Sequence, residues 1–385
     1  MSEIQFREGN YDLNPYPLFN YQLNRLIMWN EADPEEVVEY AGEIHDFKSW
    51  EETLKKLSKV ALERNQIHAA AGCLRMAEFF MDPELPETLE VYEKARGLFY
   101  RFNAALFDEK NGIIQNNQVP FETGFLTCWK VEPEGIKKGT LLFQGGNDSL
   151  LEEFLKPVLY LAGHGYEVIA FEGPGQGAVL RRYGLKFLAE WERPVKAVLD
   201  YYQTEEAALI GVSLGGELVQ RAATYEPRIK KVVSWCPMMD LYDAVLANKP
   251  AEIQAMVTKL LDAHEEEKVV AVYRQLEEKN PVVKWSIKHS NYAYGTRNVY
   301  EYLQKAKGFS VKNSAGRITQ DVLLIGARED SMVDFSLYKQ AVDLLENART
   351  LTFEVPGRAV HGQTHCNMGN TKLVLDCILN WLASI

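Results

Sequence analysis

Cysteine is scarce, with five in 385 residues, and Cys73, Cys128, Cys236, Cys366 and Cys377 form no C-x-x-C pair. That excludes a disulfide framework and a zinc ribbon, and it fits a reducing cytoplasm. Long apolar runs are missing too: no stretch approaches the roughly 18 apolar residues of a membrane span. The segment from Met1 to Glu8 carries acids where a secretion signal needs bases. The expectation is a cytoplasmic protein that neither enters a bilayer nor is exported. Positive charge is in deficit, 42 Lys and Arg against 54 Asp and Glu, for a net charge of -12. The mean field therefore repels polyphosphates and anionic headgroups, and nucleic acid is not an expected partner. Internal repeats, low-complexity tracts and long linkers are absent as well. What remains is an ordinary globular composition, 46% hydrophobic and 25% charged with 26 Gly and 15 Pro, which excludes extensive disorder and collagen-like structure. At about 150 residues per domain the length predicts two to three folded units.

Two textures meet near residue 115. In the first, apolar side chains recur at Leu54, Leu57, Ala61 and Leu62, then at Ile67, Ala71 and Leu74, which is helical spacing, and Pro34, Pro83 and Pro86 stand as helix boundaries. From residue 120 short β-rich runs alternate with helical ones: Phe125–Lys130, Thr140–Gln144, Glu167–Phe171, Ala207–Gly211, Lys231–Trp235, Asp321–Ile325 and Thr350–Val355. Such alternation predicts a mostly parallel sheet flanked by helices, an α/β fold. The rhythm breaks where Ala251–Asn280 reads as helix and a Tyr-rich piece, Tyr292–Tyr302, follows. The expected organisation is an N-terminal helical region over 1–115, a core in two parts over 116–236 and 319–385, and a helical lid inserted over 237–318.

The motif Gly211-Val212-Ser213-Leu214-Gly215-Gly216 follows the apolar run Ala207–Ile210 and precedes a helical one, Glu217–Ala223. This is G-x-S-x-G in a strand-turn-helix context. Such a turn holds the serine in a sparsely populated backbone conformation and lifts its hydroxyl above the sheet's carboxyl edge, with glycines where a β-carbon would collide. A serine hydroxyl is a poor nucleophile alone and needs a base and an acid that orients it, in the chain order Ser, Asp or Glu, His. After the strand Asp321–Ile325, Gly326-Ala327-Arg328-Glu329-Asp330 places Asp330 at the carboxyl edge, preferred over Glu329 and Asp334 for its short side chain and offset. The competing reading of Asp330 is a helix N-cap. The loop 356–369 holds His361 and His365, of which His365, nearer the final helix Thr371–Leu382, is the expected base.

An oxyanion site needs two amide donors. Leu214, at the start of the helix after Ser213, supplies one, and the turn Gly145-Gly146-Asn147-Asp148 after Thr140–Gln144 supplies the other, assigned to Gly146. Asp148 beside it reads equally as an exposed helix cap or as a proton-handling group in the pocket.

On these motifs, together with Glu152-Glu153, Phe171-Glu172-Gly173-Pro174-Gly175-Gln176-Gly177, the His365-Cys366 pair and Gly369-Asn370, the chain resembles the α/β-hydrolases. Within them it is similar to the group of 2,6-dihydroxypseudooxynicotine hydrolases, fungal polyketide-shortening pigment hydrolases and fermentation-respiration switch proteins. The resemblance spans most of the chain. It implies an N-terminal helical region, a helical insertion after the sixth core strand, and a triad of Ser213, Asp330 and His365. Some members cleave a carbon-carbon bond beside a ketone, assisted by an acid in the Gly-Gly turn, the place Asp148 holds.

A rival pattern, Gly173-Pro174-Gly175-Gln176-Gly177-Ala178, satisfies G-x-G-x-x-A, but Pro174 lacks an N–H, Gly184 interrupts the following segment, and Asp200 sits inside an apparent helix. Neither a dinucleotide nor a metal is therefore expected. Pocket candidates are Met238, Met239, Tyr242, Trp285, Tyr292 and Tyr294, although aromatic and Met side chains in short helical inserts more often pack internally. The resemblance also implies that the surface of the N-terminal helices is a candidate homodimer face. The leading expectation is a serine hydrolase acting on a small carboxylic ester or related acyl compound. The alternatives are hydrolytic carbon-carbon cleavage of a ketone or β-diketone with the same triad, and a catalytically silent binding module.

Overall fold

The structure, a computed structural model, describes residues 4–385 apart from Asn30 and Asn248. Eight strands form one sheet: β1 (Ile114–Phe121), β2 (Gly124–Val131), β3 (Gly139–Gln144), β4 (Tyr166–Glu172), β5 (Ala207–Val212), β6 (Ile229–Trp235), β7 (Asp321–Ile325) and β8 (Thr350–Glu354), in the order β1-β2-β4-β3-β5-β6-β7-β8. The hairpin of β1 and β2 is antiparallel, β2 pairs antiparallel with β4, and β4 through β8 run parallel. Every residue of β4, β5 and β7 is buried, as expected of strands covered on both faces.

Helices α1 (Pro17–Met28), α2 (Pro34–Ala41), α3 (Phe47–Glu63), α4 (Ile67–Phe79) and α5 (Pro86–Phe102) precede the sheet. The sheet is wrapped by α6 (Leu155–Gly163), α7 (Gly177–Tyr183), α8 (Glu192–Tyr201) and α9 (Gly215–Tyr225). Five helices, α10 (Leu241–Ala247), α11 (Ala251–Asp262), α12 (Glu266–Lys279), α13 (Pro281–Tyr294) and α14 (Val299–Ala306), are inserted between β6 and β7, and α15 (Phe335–Leu344) and α16 (Thr371–Ser384) complete the chain. Proline at the first turn opens α1, α2, α5 and α13, where its missing N–H costs nothing. Side chains from the N-terminal helices, the sheet and the insert join one continuous hydrophobic core, with Trp50, Trp129, Trp191 and Tyr294 fully buried in it.

Two elements differ from the sequence reading. Strand β1 was not expected, because its run Gln115-Asn116-Asn117-Gln118 is polar; as the edge strand it needs only a few inward residues, Ile114, Val119 and Phe121. The single helix expected over Ala251–Asn280 is two helices, α11 and α12, which turn at His264 in a left-handed conformation (φ +56°).

The strand order sets the location of the site. The chain passes from β3 to β4 on one side and returns to place β5 on the other, so the loops after β3 and β5 diverge from a common crevice. Pairing of Gln144 with Gly211 brings the turn after β3 alongside the residues that follow β5.

Candidate active site

Ser213 leaves β5 with φ +60°, a left-handed conformation costing about 1–3 kcal/mol for a residue with a side chain. Its neighbours explain the glycines. A β-carbon on Gly211 would lie 2.0 Å from the Gly215 carbonyl oxygen, and one on Gly215 would lie 2.6 Å from that of Gly145. The Ser213 amide is tied to the Trp235 carbonyl at 2.8 Å, which fixes the turn to β6. Partly exposed, the Ser213 hydroxyl lies 2.9 Å from Nε2 of His365, whose Nδ1 lies 2.7 Å from Oδ2 of Asp330. Three side chains separated by up to 152 positions thus form one hydrogen-bonded line.

Asp330 also accepts the amides of Met332 and Val333, at 2.8 and 2.9 Å, and the hydroxyl of Tyr338. Burial alone would push its carboxyl up; the His365 charge and these hydrogen bonds outweigh burial and hold it below the usual aspartate range. For His365 the signs reverse. Burial favours the neutral ring, Asp330 and then Cys236 favour the charged one, and the net displacement is well upward. The rivals lie elsewhere: Glu329 pairs with Arg358, Asp334 caps α15 through the Ser336 amide at 2.8 Å, and His361 is exposed, its carbonyl accepting Asn10 Nδ2 at 3.1 Å. The His365 loop is shaped by Cys366 and Asn367, both left-handed (φ +53° and +49°). Asn367 anchors it by donating to the carbonyls of Gly326 and Gly362 and accepting from the Trp235 indole at 3.0 Å.

The assignment of Gly146 as an oxyanion donor is corrected. Its amide donates to the Ser149 hydroxyl at 2.9 Å and is not free. Glycine is needed there for close approach: a β-carbon would come within 2.8 Å of both the Ser213 β-carbon and the Val212 carbonyl. Among the described residues the amides of Asn147 and Leu214 have no internal acceptor, and both residues line the cavity that holds Ser213. The Asn147 side chain is steadied by the Tyr294 hydroxyl at 3.1 Å.

That cavity, of about 360 Å³, is lined by Ser213, His365, Asp148, the insert and α1. Of the six pocket candidates only Met238 lines it. Met239 is buried beside it, and the Tyr242 hydroxyl bonds Thr258 at 2.9 Å. Trp285 packs on Phe79 and Phe80, joining the insert to the N-terminal helices. Tyr292 lies under the Lys186 ammonium, and Tyr294 stacks on Phe187. Trp285, Tyr292 and Tyr294 thus hold the insert to its neighbours, whereas the rings that the insert places on the cavity wall are Tyr273 and Tyr302. Asp148 does line the cavity, with the Arg25 guanidinium close enough to be raised by it.

Sequence reasoning missed Tyr21, Arg25 and Trp29 of the N-terminal region, all on the cavity wall. The Tyr21 hydroxyl donates to the His365 carbonyl at 3.2 Å, and Arg25 meets both oxygens of Glu153, at 2.8 and 2.7 Å. A signal was present: spacing of four places these three on one helix face, and Pro17 marks where that helix begins.

The profile of the alpha/beta hydrolase fold family matches residues 141–362, more than half of the chain and all of the elements that carry Ser213 and Asp330. The chain belongs to the α/β-hydrolase family. As an α/β-hydrolase it is an enzyme, and curated relatives carry hydrolase names. It is 28% identical to Hydrolase ORFZ of Pyricularia oryzae over 82% of each chain. To Hydrolyase ccsE of Aspergillus clavatus it is 27% identical, over 93% of this chain and 94% of the relative. The crystal structure of 2,6-dihydroxy-pseudo-oxynicotine hydrolase superposes with a TM-score of 0.65, covering 93% of this chain and 94% of that one; at 17% identity this is a likeness of fold.

Two other features of this α/β-hydrolase bear on cofactors. The ligand atoms of Cys236, His365 and Cys366 lie within 4.8 Å of one another. Since Ser213 and Asp330 engage both His365 nitrogens, a metal ion there would displace one of them. The Gly173–Ala178 turn uses its amides internally: Ala178 donates to Glu172 at 2.8 Å and Gly173 to Gln176 at 2.8 Å. Gln176 in turn donates to the carbonyls of Gly145 and Gly146, so the turn buttresses the β3 loop. No helix among the described residues is long and apolar enough to cross a membrane.

Proposed function

We propose that this α/β-hydrolase is a serine hydrolase of a small carboxylic ester or related acyl compound. Ser213 is the nucleophile, His365 the general base and Asp330 the group that orients and stabilises the imidazolium. The observation that carries the reading is the line from Ser213 Oγ through His365 to Asp330, at 2.9 and 2.7 Å, opening on the cavity. As Oγ attacks the carbonyl carbon, its proton passes to Nε2, and the fixed Asp330 carboxylate offsets the positive charge that develops on the ring. The tetrahedral oxyanion falls to the free amides of Asn147 and Leu214, each such donor supplying about 3 kcal/mol of transition-state stabilisation. Collapse expels the leaving group with the proton from Nε2. Water, activated by the same histidine, then releases the acyl group.

A second reading, hydrolytic cleavage of a carbon-carbon bond beside a ketone, draws support from Asp148, a carboxylate on the cavity wall outside the Ser213 line and beside Arg25. There the leaving group is a carbon that must be protonated. An aryl ester assayed against a β-diketone separates the two. Fluorophosphonate labelling tests the shared premise: Ser213 in folded protein is modified and Ser213→Ala is not, whereas an unlabelled wild type removes the serine mechanism and favours a silent binding module.

A further inference from the structure

The wall of the cavity formed by the insert holds two donors without an acceptor among the described residues. Lys249, in the link between α10 and α11, is partly buried and lines the cavity. Among the described residues no carboxylate pairs with its ammonium, whose one neighbour of note is the Tyr273 ring, with the centroid 5.7 Å away. Tyr273, on α12, also lines the cavity; it is 2% exposed and its hydroxyl has no hydrogen-bond partner among the described residues. The surrounding surface is largely apolar, including Leu241, Val245, Val283 and Ile287, with the Ser286 hydroxyl turned to the Val283 carbonyl at 2.9 Å. The other cation of the cavity, Arg25, is committed to Glu153 and Gln22 and is not available in the same way.

We propose that Lys249 and Tyr273 form a carboxylate subsite that selects acyl substrates bearing an anionic end remote from the reacting carbonyl. The inference rests on the hydrolase reading of Ser213. A buried phenol without a partner and an ammonium drawn partly out of water are costly in a largely apolar wall, and a guest that accepts from both recovers that cost. One charge and two donors match the charge and the two oxygens of a carboxylate; a phosphate would bring more charge and more acceptors than this wall serves. Burial alone holds the Lys249 amine below the ordinary lysine range, with no acid pulling it back. Because the chain as a whole is at -12, selection of an anion depends on this local pair and not on a long-range field.

The test uses Ser213→Ala protein, which holds substrates intact, and calorimetry with the monophenyl ester of suberic acid against its methyl-capped neutral counterpart. The acid is expected to bind at least about tenfold tighter. Lys249→Met and Tyr273→Phe, each placed in the Ser213→Ala background, should both collapse that preference, and Lys249→Arg should restore most of it, with thermal melts confirming the fold. Equal affinities for acid and capped ester, no detectable binding of the acid, or a preference unmoved by Lys249→Met would overturn the subsite. These constants need no turnover, so a failure of the serine chemistry shows separately, as absent fluorophosphonate labelling of the wild type.

Discussion

Asp330 gathers four donors on one carboxylate: His365 Nδ1, the Tyr338 hydroxyl and the amides of Met332 and Val333. The consequence is a pH profile. On the proposed serine mechanism only the neutral imidazole can take the Ser213 proton, and Asp330 and Cys236 hold His365 well above the usual histidine range, so hydrolysis is expected to be lost as pH falls through that raised value. Asp330→Asn removes the chief cause of the rise: the acid limb of kcat/KM moves to lower pH, and the plateau falls by about 10⁴. His365→Ala abolishes turnover to a similar extent, whereas His361→Ala, at an exposed loop position, leaves kcat/KM within a few-fold of wild type. Gly146→Ala is a sharper probe of the β3 turn. Its β-carbon would push on Ser213 and Val212, so hydrolase activity is expected to fall steeply with little change in the far-ultraviolet spectrum.

Helix α1 acts as a wall rather than an outer layer. Its face of Tyr21 and Arg25, with Trp29 capping its end, closes the cavity, and a buried chain of charges fastens it: Arg25 to Glu153, Glu153 to Arg75 at 2.5 Å, and Arg75 to Glu31. Glu153 is the shared member, so neutralising it leaves two buried guanidiniums short of a counter-ion. Glu153→Gln is expected to lower unfolding free energy by about 3–5 kcal/mol in urea titrations, more than Arg25→Met, which leaves Glu153 still paired with Arg75. The strap before α1 reaches the other side of the site. The Gly9 amide donates to Gly369 and Asn10 to the His361 carbonyl, pinning the loop that presents His365.

Across the whole molecule the N-terminal helices, sheet and insert share a core, so the cavity has no wall that is independent of the others. The same burial traps acids. Glu217, beneath the insert, is pushed well above 4.5 by burial and by Asp240, and Glu172 is raised to about 7 by burial and Glu152. For such groups the unfolded chain releases protons that the folded one keeps, so their cost to stability is absent below pH 4.5 and grows as pH rises toward the folded pKa. Replacing Glu217 by Gln removes its share of that slope: the stability difference between variant and wild type should move in the variant's favour from pH 5 to 8, measured by urea midpoints at each pH. An unchanged difference across that range would show Glu217 ionising normally.

The order of elements was set along the chain itself. The runs over 125–130, 140–144, 167–171, 207–211, 231–235, 321–325 and 350–355 each became a strand, because strand periodicity and buried β-branched runs are local properties. Ser213, Asp330 and His365 were legible for a related reason, since each follows a strand and a parallel sheet delivers all such loops to one edge. Only the tertiary structure decided which donors were free. Whether Gly146 or Asn147 offers its amide depends on where the Ser149 hydroxyl comes to rest, and whether an aromatic of the insert faces the cavity or holds the insert in place depends on what it meets, as Trp285 meets Phe79 and Phe80. Spacing could place Tyr21, Arg25 and Trp29 on one helix face but not say what that face meets, and Lys249 and Tyr273, on separate pieces of the insert, reach the Ser213 cavity only through packing.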